Sequence, residues 1–140
     1  MIHSTSSIRV RYAETDQMGF LHHGHYAAYF EEARVHWLAQ LGMPYRELES
    51  QGYFLPVLEL QIRFLHPNRF DDLLSVQCRL ETLPRVKIEL FYEVCRDGLL
   101  TTTAKSVHAF MGTDGKAMRP PPAFLDGLSA LLHPKTPQRT

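Results

Sequence analysis

The chain has 140 residues, a length that fits one domain, and 44% of them are hydrophobic, so a packed core is within reach and general disorder is excluded. Lys plus Arg number 15 and Asp plus Glu number 15, and this zero formal net charge lacks the basic excess on which nucleic-acid binders depend. Residues 1–7 lack the apolar run of a signal peptide, and no stretch reaches the ~18 apolar residues of a membrane span, so the expectation is a cytoplasmic protein with no nucleic-acid partner and no membrane insertion.

Ile8, Val10 and Tyr12 alternate with Arg9 and Arg11, the period of a half-buried strand. Residues 14–24 form a polar, glycine-punctuated connection. Over residues 25–41 the spacing becomes helical: Tyr26, Phe30, Ala33, Trp37 and Leu41 fall on one stripe, widened by Ala27, Ala28, Tyr29 and Leu38. Gly42 stands where a helix C′ glycine belongs, Pro44 prevents continuation, and residues 45–51 are expected to add a short turn of helix. From there the period is two. Leu58, Leu60, Ile62 and Phe64 form one strand face; Leu74, Val76, Cys78 and Leu80 form the next, followed by Val86, Ile88, Leu90, Tyr92 and Val94. Asp97-Gly98 marks a tight turn into a threonine-rich strand over 100–111, which closes at Asp114-Gly115. Residues 120–122 stop the sheet, 123–132 suit a short helix, and 134–140 read as a frayed tail beyond a single domain of residues 1–133. The two cysteines, Cys78 and Cys95, are too few and too isolated for a metal motif or a disulfide framework and read as small core residues.

Strand, long apolar helix, then four strands on short connections imply an α+β layer of one antiparallel sheet against one helix. One face and the edges of such a sheet stay uncovered, and oligomerisation is the economical way to cover them.

The chemistry concentrates in residues 11–34. Asp16 ends the loop after the first strand, Gly19 follows three residues later, and His22, His23 and His25 lead into the helix. A helix start offers unpaired N–H groups and partial positive charge, which polarise a carbonyl and stabilise an oxyanion. A carboxylate beside it can attack that carbonyl or deprotonate water. Two readings stand at this point: acyl-transfer chemistry, or an Asp16 that only caps or turns the chain. The histidines are neighbours on one turn, which disfavours convergence on an ion, so no metal is assigned. His66 and His108 carry no assigned chemistry. Glu31 and Glu32 read first as a solvated pair near Arg34 and His36.

Arg11-Tyr12, Thr15-Asp16, Gly19, His25-Tyr26 and Glu31-Glu32-Ala33 together resemble the signature of the 4-hydroxybenzoyl-CoA thioesterase family and its Tol–Pal-type short-chain relatives. Arg63-Phe64, Pro67 and the run 70–76 are similar to the family's entry into its third strand. The resemblance implies a hotdog fold, in which the sheet wraps the helix, dimers join sheets edge to edge with active sites at the interface, and dimers often pair into tetramers. It implies hydrolysis of an acyl-CoA without a cofactor. Asp16 would be the nucleophile or general base and the His23 N–H the donor to the thioester carbonyl, with the His23 side chain positioning water or substrate. The family's asparagine before Tyr26 is His25 here, so His25 would have to orient the loop through a ring nitrogen. Arg85 matches a basic nucleotide-contacting position, with Lys87 and Arg69 as further candidates for the coenzyme's phosphates. Tyr12, Phe20, Tyr26, Tyr29, Phe30 and Phe54 are expected mainly in the core, with one or two reaching the acyl group. Glu31 is the reserve catalytic carboxylate, since a second branch of hotdog thioesterases uses one on the helix. A hotdog protein that binds acyl-CoA without turnover is the rival reading. A hotdog dehydratase is a weaker rival, because its longer helix motif is not evident.

Overall fold

The computed structural model describes residues 2–132. Its elements are β1 (Ile2–Arg9), α1 (Tyr26–Gln40), α2 (Tyr45–Ser50), β2 (Val57–Phe64), β3 (Leu73–Leu80), β4 (Lys87–Arg96), β5 (Leu99–Met111), β6 (Ala117–Met118) and α3 (Pro122–Leu132). The strands pair antiparallel in the order β1-β3-β4-β5-β2, with β6 attached to β5. The tail expected at 134–140 lies outside the described residues.

Period-two burial makes the sheet's inner face. Leu74, Val76, Cys78 and Leu80 of β3 and Ile88, Leu90, Tyr92 and Val94 of β4 are all buried. Opposite them α1 buries Tyr26, Tyr29, Phe30, Ala33, Trp37 and Leu38. Each large apolar side chain removed from water contributes ~1.5–3 kcal/mol, so this helix–sheet contact is the main stabilising layer. It is the wrapped-helix arrangement of a hotdog. The tight turns form where glycine permits them: Asp97 and Gly98 both take positive φ, 49° and 80°. Leu41 caps the C-terminus of α1, with Gly42 at φ 80° and the Met43 N–H returning to Leu38 O at 3.0 Å.

Several boundaries differ from the sequence reading. β1 starts at Ile2 and stops at Arg9, while Tyr12 sits in a 3-10 turn and is 76% exposed. The early strand hides behind serines: Ser4 and Ser6 take inner-face positions, and their hydroxyls are buried without a hydrogen-bond partner. α1 proper begins at Tyr26, after a 3-10 turn over His23–His25, and Ala27 and Ala28 lie on its exposed side rather than widening the buried stripe. Cys78 is in the core, but Cys95 is only half-buried. β6 was not anticipated, because two residues carry no period.

Both margins of the sheet end in an unpaired strand among the described residues, and they differ in character. β1 is lined by serine, threonine and histidine. β2 instead shows Val57, Leu58 and Phe64 at 46%, 54% and 51% exposure, and Leu60 and Ile62 are only half-buried.

Candidate active site

The polypeptide leaves β1 through a fixed exit: Val10 N–H donates to Asp72 O and Asp71 N–H to Val10 O, each at 3.0 Å. Glu14 then turns inward and is buried. Its Oε1 accepts from the Arg11 N–H at 2.9 Å and from the Tyr29 hydroxyl at 2.8 Å, with the Arg11 guanidinium at 3.4 Å. Burial pushes this carboxyl up, but the bonds from Arg11 N–H and Tyr29, with the guanidinium charge, outweigh it and hold the group below its ordinary value. The same environment raises the Tyr29 hydroxyl, through burial first and then its bond to Glu14. The carbonyl of Glu14 accepts from His22 N–H at 2.9 Å. One buried residue thereby ties the strand exit, the loop's return and the first turns of α1 together.

Between Glu14 and His22 the loop doubles back as a small hairpin with Thr15 bridged to Leu21. Gly19 N–H donates to Asp16 O at 2.9 Å and Asp16 N–H to Phe20 O at 2.8 Å. Gly19 is needed for the turn because its φ is +81°, a conformation that costs a side-chain-bearing residue ~1 kcal/mol or more. Asp16 Oδ1 accepts from Met18 N–H at 2.9 Å and Phe20 N–H at 3.1 Å. The turning role considered for Asp16 is therefore real, and it involves one carboxylate oxygen. Oδ2 has no hydrogen-bond partner among the described residues. The turn fixes the rotamer while leaving an acceptor uncommitted.

That side chain lines a cavity of about 450 Å³. His23 shares its wall at the start of the helical turns, and Phe20, Tyr26, Phe64 and Leu65 supply apolar surface. Tyr26 is held by Asn68, whose Nδ2 donates to the Tyr26 hydroxyl at 3.0 Å, and Phe64 packs edge-on against the Tyr26 ring at 5.0 Å. Asn68 is fully buried and its carbonyl accepts from Leu21 N–H at 2.7 Å, joining the loop to the segment after β2. The His23 N–H has no intrachain acceptor among the described residues, whereas the Gly24 N–H is taken by His22 Nδ1 at 3.1 Å. Asp16 and His23 thus line one cavity, beside the start of the helical turns.

The remaining sequence candidates divide. Gly19 shapes the turn without lining the cavity. The His25 ring makes no hydrogen bond among the described residues, whereas the loop is bonded through His22 N–H to Glu14 O and Leu21 N–H to Asn68 O. The rings of His22 and His23 stack, with centroids 4.1 Å apart. The Arg69 guanidinium lies 4.9 Å from the ring centroid of Phe20, which lines the cavity. Arg85 and Lys87 are exposed at the other end of the sheet: Lys87 pairs with Ala109 of β5, while Phe64 at the cavity pairs with Thr102. Seven strand steps of ~3.4 Å separate those registers by ~24 Å. Glu31 is exposed on α1 and belongs to a different cavity. His66, which was given no role, lines the Asp16 cavity. Its only sequence signal was its place beside Pro67, within the family-like entry to the third strand. Glu14 gave no signal, since a charged loop residue is ordinarily solvated.

The family model of the thioesterase-like superfamily matches residues 10–128. Among solved structures, a hypothetical protein of Thermus thermophilus is 41% identical with a TM-score of 0.86, covering 91% of this chain and 98% of that one. The DHNA-CoA thioesterase of Staphylococcus aureus is 31% identical with a TM-score of 0.89, covering 94% of this chain and 92% of its own. The 1,4-dihydroxy-2-naphthoyl-CoA hydrolase of Thermosynechococcus vestitus is 33% identical over 90 residues, 64% of this chain and 62% of that protein. With the wrapped helix, the loop carboxylate and a match that runs from the exit of β1 into α3, the chain belongs to the thioesterase-like superfamily of hotdog proteins.

Proposed function

We propose that this protein is an acyl-CoA thioester hydrolase, releasing free carboxylic acid and CoA, with Asp16 as its catalytic carboxylate. The observation that carries the reading is the divided role of Asp16: Oδ1 is consumed by two backbone N–H groups, and the side chain lines an apolar cavity with Oδ2 uncommitted. The thioester carbonyl would sit against the His23 N–H, which withdraws electron density and stabilises the oxyanion as it forms. Asp16 either attacks the carbonyl carbon, giving an anhydride that water cleaves, or takes a proton from an attacking water. Arg69 supplies a cation for the coenzyme's phosphates at the cavity mouth. The similarity to the S. aureus DHNA-CoA thioesterase supports both the reaction class and a CoA ester as substrate.

The functional unit in this reading is a homodimer joined along β2, which itself can pair into a tetramer. Unpaired strand edges with exposed apolar residues are covered in stable proteins, and β2 is such an edge. A twofold axis through β2 extends the sheet across two subunits. It also reverses the partner's strand, so the end of the partner's sheet carrying Arg85 and Lys87 comes to the side of Asp16.

The test is thiol release from a panel of aromatic and aliphatic acyl-CoA esters, followed with a thiol reagent. Asp16→Asn and Asp16→Ala are expected to remove turnover while leaving the folded protein intact by circular dichroism. Undiminished turnover in both variants takes Asp16 out of the mechanism, and saturable binding without hydrolysis by the native protein makes it a binding module.

A further inference from the structure

Beneath α1 runs a buried polar chain that the proposed chemistry does not use. Arg34 Nη1 donates to the Tyr92 hydroxyl at 3.2 Å; Tyr92 and Ser106 share a 2.7 Å bond, Ser106 and His108 Nε2 a 2.6 Å bond, and His108 Nδ1 lies 3.2 Å from Pro56 O. Tyr92, Ser106 and His108 are at most 1% exposed. The chain has only one consistent direction. A guanidinium only donates and a carbonyl only accepts, so the tyrosine hydroxyl donates to Ser106, Ser106 donates to Nε2, and the proton of His108 sits on Nδ1. Four residues and one backbone carbonyl thus hold a single arrangement, and its outer end is the half-buried guanidinium of Arg34.

Arg34 forms no ion pair among the described residues. It opens into a second cavity, of about 200 Å³, floored by Leu38 and Leu55 and closed by Pro56 and Val57 at the start of β2, with the exposed Glu31 on the rim. Within one chain this cavity is at the far end of β2 from Asp16, some ~24 Å by seven strand steps. No aromatic or short aliphatic acyl group spans that. Across an antiparallel β2–β2 seam the ends exchange partners, and the Val57 end of one strand lies beside the Phe64 end of its neighbour.

We propose that the Arg34 cavity is the distal acyl subsite of the partner subunit's thioester site, and that Arg34 selects acyl groups ending in a carboxylate. The inference rests on the thioesterase reading and its β2 dimer. Seam formation strips water from Arg34, and a desolvated permanent cation requires an anion to offset that cost. One N–H of the guanidinium is spent on Tyr92, which fixes its plane and leaves the others for a carboxylate. A neutral hydroxyl would leave the charge unmatched. Glu31 stands one helical turn before Arg34 and weakens anion binding while it faces the cavity; from its exposed position it can turn to solvent.

The experiment compares kcat/KM of the purified full-length protein for benzoyl-CoA, 4-hydroxybenzoyl-CoA and 4-carboxybenzoyl-CoA. The native protein is expected to favour the 4-carboxy ester over the unsubstituted one by roughly 10- to 100-fold, the range of a charge-assisted pair. Arg34→Met collapses that ratio towards one. Arg34→Lys, a milder replacement that guards against misfolding, retains part of it. Tyr92→Phe lowers the ratio through KM because the guanidinium loses its support, and Glu31→Gln raises it. A native ratio near one, a preference for the 4-hydroxy ester with loss on Glu31→Gln, or a ratio untouched by Arg34→Met each overturns the carboxylate subsite while leaving the thioesterase reading in place. Absence of thiol release from all three and from aliphatic esters overturns both.

Discussion

Replacing His108 isolates a pH dependence whose size follows from the structure. In the fold, burial, and after it the charge of Arg34, push this imidazole from an ordinary value of 6.5 down to about 4. The unfolded chain takes up a proton near pH 6.5 that the folded chain refuses until about pH 4. A depressed histidine therefore contributes its full stability above 6.5 and loses it as the pH falls towards 4. The whole interval corresponds to about 3 kcal/mol, and the part between pH 7 and pH 5 to about 2 kcal/mol. Urea unfolding of the native protein and His108→Gln, at both pH values and one protein concentration, reads this directly. Acid-sensitive carboxylates, Glu14 among them, are present in both proteins and cancel. The native protein is expected to lose ~2 kcal/mol more than the variant on acidification, a midpoint shift of about 1 M in urea. Parallel losses would mean that His108 is hydrated or already charged in the fold, and the directional chain from Arg34 to Pro56 would be wrong.

Glu14 and Tyr29 are coupled: Glu14→Gln, Tyr29→Phe and the double variant should give an interaction free energy of ~1–2 kcal/mol by thermal or urea unfolding, because either single change strands a buried partner. Additive losses would show that the 2.8 Å bond contributes nothing. On the β2 edge, Leu58→Glu places like charges in the proposed seam, and light scattering should show a dimer dissociation constant raised by roughly 100-fold or more, with turnover falling alongside. A monomer with full turnover would remove the partner from the active site.

The sheet and helix were legible because burial follows period. The inner faces of β3 and β4 alternate without interruption, and glycines stand at the turns after α1 and β4. β1 was read short because Ser4 and Ser6 replace apolar residues on its buried face, which erases the alternation without changing the pairing. Ala27 and Ala28 misled in the other direction, since alanine is compatible with either side of a helix. Of the residues lining the Asp16 cavity, Asp16, His23 and Tyr26 were legible together because they lie within a dozen residues of each other at the approach to α1. His66 and Asn68 come to the same place only through the antiparallel return of β2 and the loop after it, which no local spacing reports. Arg85 and Lys87 have the right chemistry at the wrong end of their own subunit, a distinction visible only once the strand registers are known. Glu14 escaped because its burial depends on a hydroxyl fifteen positions away, on the far side of a turn.

The two unpartnered hydroxyls of β1 favour local opening of that strand. Each desolvated oxygen costs ~1–3 kcal/mol, so local opening is cheapest where Ser4 and Ser6 can recover water. The strand's other end is bolted by the Val10–Asp72 and Asp71–Val10 bonds and by Arg9 on Asp71. Peeling that begins at Ile2 would meet these bonds before it reached the Asp16 turn, leaving that hairpin in place while the strand leading to it opens.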